Sequence, residues 1–174
     1  DYFLEAQKIT PNDHTTQLGL EQVQKAMDKQ LYKADQALKN GDYKLATVIY
    51  HDYIEVGISQ ETSLNNIAKS IFTKYIGDKT GQPLHFSMAH AYNGLGWSQY
   101  HKKQYDYAIE KFLKSIEHED YESSSAKGLG LSLYAIKNYQ DATPYLKEAL
   151  KYDPENKDLA YKLDWSILRG DSIN

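Results

Sequence analysis

Six histidines, His14, His51, His85, His90, His101 and His118, are the chain's first candidates for metal or proton chemistry. No two of them stand at i,i+4 and no H-E-x-x-H string occurs, so the one-face pair that grips zinc on a helix is missing. His85 and His90 are five apart and leave a helix on different faces. With no cysteine there is neither a thiolate zinc site nor a disulfide framework. A G-x-S-x-G elbow and a Walker loop are also absent. Gly94-x-Gly96 and Gly128-x-Gly130 could suggest a loop that cradles phosphate, but neither completes G-x-G-x-x-G and neither follows a strand. Glu117, Glu119 and Asp120 cluster where a helix is expected to end and read as a solvated turn. No set of groups with matched catalytic roles converges. The chain is therefore expected to be no enzyme and to carry no metal and no cofactor.

The elements that hold these residues are legible from an internal repeat. NGLGWSQYHKKQYDYA at 93–108 and KGLGLSLYAIKNYQDA at 127–142 align at an offset of 34 residues with eight identities in sixteen positions. The shared residues include Gly94/Gly128, Gly96/Gly130, Ser98/Ser132, Tyr100/Tyr134, Tyr105/Tyr139 and Ala108/Ala142. A period of 34 with small residues at fixed places points to a repeated helix–turn–helix unit.

On these residues the chain resembles the tetratricopeptide repeat (TPR) family. Its pattern is met by Tyr92, Leu95, Gly96, Ala108 and Phe112 in one copy, and by Leu129, Gly130, Leu133, Ala142, Leu146 and Pro154 in the next. Departures are Gln99 at an inner aromatic position, Asp120 for the closing proline and Ala126 for the leading aromatic. The resemblance implies an all-α, right-handed solenoid of helix hairpins. Gly96 and Gly130 would then lie where paired helices cross Ala108 and Ala142, while Gly94 and Gly128 have no role in the family pattern.

Taken in order, residues 1–15 read as an N-terminal tail and 16–168 as one domain. A helix is predicted from about Thr16 to Asn40, stopped by Gly41, and a second from Asp42 to near Gly57. Ser59 is the expected N-cap of a third, Gln60 to about Ile76. GDKTGQP at 77–83 is the strongest loop signal. Helices follow at about 83–103, 105–118, 123–137 and 139–152, with Pro144 inside the last. A capping helix is expected at 157–168, before a polar tail at 169–174 whose Arg-Gly-Asp string reads as chance. The repeats are placed at 27–60, 61–88 (degenerate), 89–122 and 123–156.

Length and composition agree with a packed core: 174 residues hold only four prolines and ten glycines. Sixteen tyrosines against four phenylalanines give an aromatic inventory suited to helix packing and to a binding surface. A net charge of −4 with no basic stripe predicts no nucleic-acid partner, and no apolar run reaches a membrane span, so no direct membrane insertion is expected. Starting at Asp1 rather than Met, the chain is expected to be an excised domain or a processed form. Nothing in the sequence fixes its compartment.

In the family the first helix of each repeat lines a concave groove through its second, fifth, ninth and thirteenth residues. Carried onto this chain these are His90, Asn93, Trp97 and His101, then Ser124, Lys127, Leu131 and Ala135, then Asp158, Tyr161, Trp165 and Arg169. Residues that repeat should maintain the stack, and residues that differ on the groove face are free for a ligand. His90, Asn93, Trp97, His101, Lys127, Leu131, Tyr161 and Trp165 are the candidate contacts, with Tyr100 and Tyr134 assigned to structure. Trp97, opposite Leu131 in the next copy, is either an exposed anchor or a packing residue against its neighbour. The chaperone-tail clamp of some family members, lysine then asparagine, is not reproduced by Asn93/Trp97 or by Lys127/Leu131. The expected function is passive binding of a protein or peptide segment. Its rivals are an assembly domain of a bacterial secretion, pilus or polysaccharide-export machine, possible as a homo-oligomer, and a regulatory domain of a larger enzyme.

Overall fold

The computed structural model describes residues 14–63, 84–118 and 122–170, and among these every regular element is a helix. In chain order they are α1 (His14–Lys39), α2 (Tyr43–Ser63), α3 (Leu84–His101), α4 (Tyr105–Glu117), α5 (Glu122–Ala135), α6 (Tyr139–Tyr152) and α7 (Lys157–Gly170). Each helix packs on the one before and the one after it, and α1, α3 and α5 also meet in succession. The all-α expectation holds.

Three tight turns make the hairpins, and all three close in the same way. Gly41, Lys103 and Lys137 adopt φ of 79°, 60° and 67°. Beyond each, an amide reaches back five residues, Asp42 to Ala37, Gln104 to Gln99 and Asn138 to Leu133, each at 2.9 Å. This left-handed cap satisfies carbonyls that a helix end leaves bare. The following helix is then capped from its N-terminal side by Asp42, which accepts from the Leu45 amide at 3.1 Å, and by Asn138, which accepts from Asp141 at 3.4 Å. Asn156 does the same for α7 through Leu159 at 3.1 Å. Each such cap contributes about 1 kcal/mol. Pro144 lies within α6 without ending it, at the loss of one backbone bond.

Among the described residues the buried apolar side chains fall into two clusters. One joins α1, α2 and α3 through Ala34, Ala46, Tyr50, Tyr53 and Leu95. The other joins α4 to α7 through Phe112, Leu129, Ala142, Leu146 and Leu159.

The helix glycines are sockets for side chains of neighbouring helices. A Cβ on Gly96 would stand 2.7 Å from the Phe112 ring, within the same hairpin, and one on Gly128 would stand 2.2 Å from that same ring across to the next. Gly94 receives the Tyr50 ring in the same sense, at 2.2 Å, and Gly130 meets the Leu146 backbone nitrogen at 3.0 Å. The second glycine of each pair thus serves its own hairpin, and the first serves the hairpin before it. That is the role the family pattern left unassigned to Gly94 and Gly128. In α7 the corresponding positions are Lys162 and Asp164, flanking the retained Leu163.

Ser98 and Ser132 repeat for a related reason. Both are fully buried, and their hydroxyls donate to the carbonyls of Gly94 and Gly128 one turn back, at 2.9 and 2.7 Å.

One boundary differs from expectation. Gly57 does not end the second helix, which runs on to Ser63 and carries Ser59 in its interior rather than as a cap. Gly57 is buried, and a Cβ there would meet the Met88 sulfur of α3 at 2.6 Å. It is another packing glycine, and nothing from Ile58 to Ser63 breaks a helix. The remainder of the expected third helix, the loop at 77–83, residues 1–13 and residues 171–174 lie outside the described residues.

Candidate functional site

The expected groove register falls on α3, α5 and α7, of which α3 and α5 pack on each other, and the structure divides its candidates into two kinds. Asn93 and Leu131 are buried, at 7% and 8% exposure, which leaves them almost no surface for a ligand. Asn93 Nδ2 donates to Ser125 Oγ at 2.7 Å, Ser125 donates to Ser115 at 2.8 Å, and Ser115 donates to the Ala89 carbonyl at 2.7 Å. On its other side Asn93 Oδ1 accepts from Ser124 Oγ at 3.3 Å, and Ser124 accepts from Trp97 Nε1 at 3.1 Å. The result is one satisfied polar chain threading α3, α4 and α5.

Trp97 is half-buried. Its ring stands edge-on to Phe112 at 5.3 Å and to Tyr100 at 5.5 Å, and its indole N–H is spent on Ser124. Of the two readings of Trp97, the geometry is that of a packing residue.

The remaining candidates keep more surface, from half-buried His90, Lys127 and Trp165 to exposed His101 and Tyr161. His101 is exposed and stacks on Tyr43 at 4.7 Å with planes 10° apart; burial against these rings holds its imidazole below the usual value. His90 Nε2 lies 2.8 Å from Asp35 Oδ1, which also accepts from the buried Tyr50 hydroxyl at 2.6 Å, tying α1, α2 and α3 together. Lys127 reaches Asp153 at 3.5 Å. On α7, Tyr161 is exposed and stacks on half-buried Trp165 at 6.3 Å, while the Arg169 guanidinium lies 4.9 Å above the Trp165 ring.

Tyr100 and Tyr134, which the repeat assigns to structure, are half-buried. Burial raises the Tyr100 hydroxyl, helped by the Tyr105 phenol and the Asp158 carboxylate. Burial likewise raises Tyr134, helped by Tyr161, Tyr139 and Asp158. Both phenols therefore sense the same carboxylate at the start of α7. Lys162 binds Asp158 and holds its ammonium 5.9 Å from the Tyr134 ring centre. No position in the repeat pattern announces this patch, because its members come from separate copies.

A second grouping lies away from the groove. His51, Asp52 and Glu55 on α2 have ligand atoms within 4.8 Å of one another. A search for paired histidines passes over a His–Glu spacing of four. All three are exposed, and the His51–Glu55 contact is 3.6 Å, so no packed outer shell of the kind that orients metal ligands surrounds them. No described helix is long and apolar enough to cross a membrane.

No family model matches the chain, and no curated protein matches it. Among solved structures the chain is similar to a mutant of MamA, with 16% identity and a TM-score of 0.44 over 84% of this chain and 91% of that one.

Proposed function

We propose that this chain is a non-catalytic protein-interaction module of the tetratricopeptide type, with repeats at 27–60, 61–88, 89–122 and 123–156 and a capping helix at 157–168. It binds a protein or peptide segment along the face shared by α3, α5 and α7. The observation that carries this reading is the run of aromatic side chains from separate helices on that face, His101, Tyr134, Tyr161 and Trp165, with no nucleophile or acid–base pair among them. Rigid helices present these rings at low entropic cost to a ligand. Asn93, Trp97 and Leu131 belong to the scaffold under the face, and His101, Lys127, Tyr161 and Trp165 to its surface.

Selection from a displayed random-peptide library tests this directly. Enriched peptides are expected to lose about tenfold in affinity for a His101→Ala/Tyr161→Ala variant, in line with the removal of two contact side chains. Retention of full affinity by a variant with unchanged circular dichroism would place the binding face elsewhere.

Exposed Ile167 and Leu168 on α7, at 45% and 62%, favour a second reading in which copies associate through the last helix. Sedimentation velocity over a concentration series separates the two, since self-association needs no added ligand.

A further inference from the structure

We propose that the groove selects segments that present lysine or arginine side chains, which dock against Tyr134 and Tyr161 beside the Asp158 carboxylate. This rests on the groove-binding reading above and adds the chemistry of the partner.

The chain itself supplies the first argument, because a cation already marks the place. Lys162 pairs with Asp158 and stands over the Tyr134 ring at 5.9 Å. A ring face beside a carboxylate is what an ammonium or guanidinium seeks. The pairing leaves room for another cation: Asp158 is 68% exposed, whereas Lys162 is 22% exposed, and a carboxylate accepts from more than one donor. Tyr161 adds a second ring, 60% exposed.

The second argument is what the face has left to offer. Three of the cations on these helices have partners: Lys127 on Asp153, Lys162 on Asp158 and Arg169 on the Trp165 ring. Beside them stand the exposed Asp158 carboxylate and the exposed Tyr161 ring. The net charge of −4 adds long-range attraction for a basic segment.

The test uses three fluorescein-labelled peptides of one apolar framework, bearing lysine, glutamine or glutamate at the same positions, titrated by fluorescence anisotropy at low and high salt. The lysine peptide is expected to bind tightest, with a preference that salt weakens. Asp158→Asn should cut that preference by about fivefold, and Lys162→Ala should strengthen lysine-peptide binding by about two- to fivefold by removing the internal competitor. A role for the Lys162–Asp158 pair in stability alone would not produce opposite effects from its two halves. Equal binding of the glutamine or glutamate peptide, or a lysine preference that survives Asp158→Asn, overturns the inference. If those peptides are still displaced when Ala135→Tyr crowds the groove, groove binding itself stands. If no peptide binds, or if crowding the groove changes nothing, both fall.

Discussion

A single ring shows how much a missing methyl group decides. Phe112 is completely buried between Gly96 of its own hairpin and Gly128 of the next, so neither glycine can acquire a Cβ unless the ring yields. Gly128→Ala should cost about 1–3 kcal/mol of stability by overpacking, despite the ~1 kcal/mol that alanine gains in a helix interior. In a Phe112→Leu background the same substitution should cost less or become stabilising. Urea unfolding of the four proteins checks this, and an unchanged cost would exclude the ring as its cause. The left-handed positions give the opposite sign: Lys103→Gly and Lys137→Gly should each stabilise by up to about 1 kcal/mol, whereas Gly41→Ala should lose about as much. These follow from φ of 60°, 67° and 79° and are read from the same unfolding curves.

At the scale of the helices, two successive joints are built from different chemistry. Between α3, α4 and α5 the buried contacts are Asn93, Ser115 and Ser125, and one period later the equivalent residues are Lys127, Ala149 and Leu159. Ser115→Ala and Ser125→Ala should each destabilise by about 1–3 kcal/mol because each strands a buried partner. The double variant should fall short of their sum, and additive losses in denaturant melts would show that the hydroxyls do not act as one chain.

The same joint explains what sequence reasoning could and could not read. The repeat predicts α3 to α6 to within a few positions, and amphipathic spacing predicts α7, because packing there is local and recurs. The side chains nearest a Cβ on Gly96 and Gly130 are Phe112 and Leu146 rather than Ala108 and Ala142. The structure gives Asn93, Trp97 and Leu131 burial or packing partners, since a residue that breaks the pattern can also adapt one helix to its particular neighbour. The grouping of Asp158 with Tyr134 and Tyr161 is not legible in the sequence for the converse reason. Tyr100 and Tyr134 obey the repeat, and only the stacking of separate hairpins brings them near α7.

At the scale of the whole molecule, one response to acid runs through His101, which covers Tyr43 across the first inter-hairpin joint. Its folded-state affinity for protons is reduced by burial, so the unfolded chain binds the extra proton. Stability from this group is complete above the usual value of 6.5, and it declines as pH falls from there toward the lower folded-state value. Thermal unfolding of the wild type should therefore show a decline just below that point that His101→Phe lacks. Identical pH profiles for the two proteins would remove His101 as the source.

The glycine sockets also set how the stack can be lengthened. Duplicating residues 89–122 in tandem would seat an aromatic ring in a glycine at every new junction: Tyr50 in Gly94, Phe112 in the copied Gly94, and the copied Phe112 in Gly128. A unit grafted after α7 would meet Asp164 at the place where Gly96 and Gly130 receive their hairpin partner, a charged side chain filling the space a neighbour needs. The internal duplication is expected to unfold in one transition with a steeper denaturant dependence, as more surface becomes exposed, while the terminal graft melts apart from the rest.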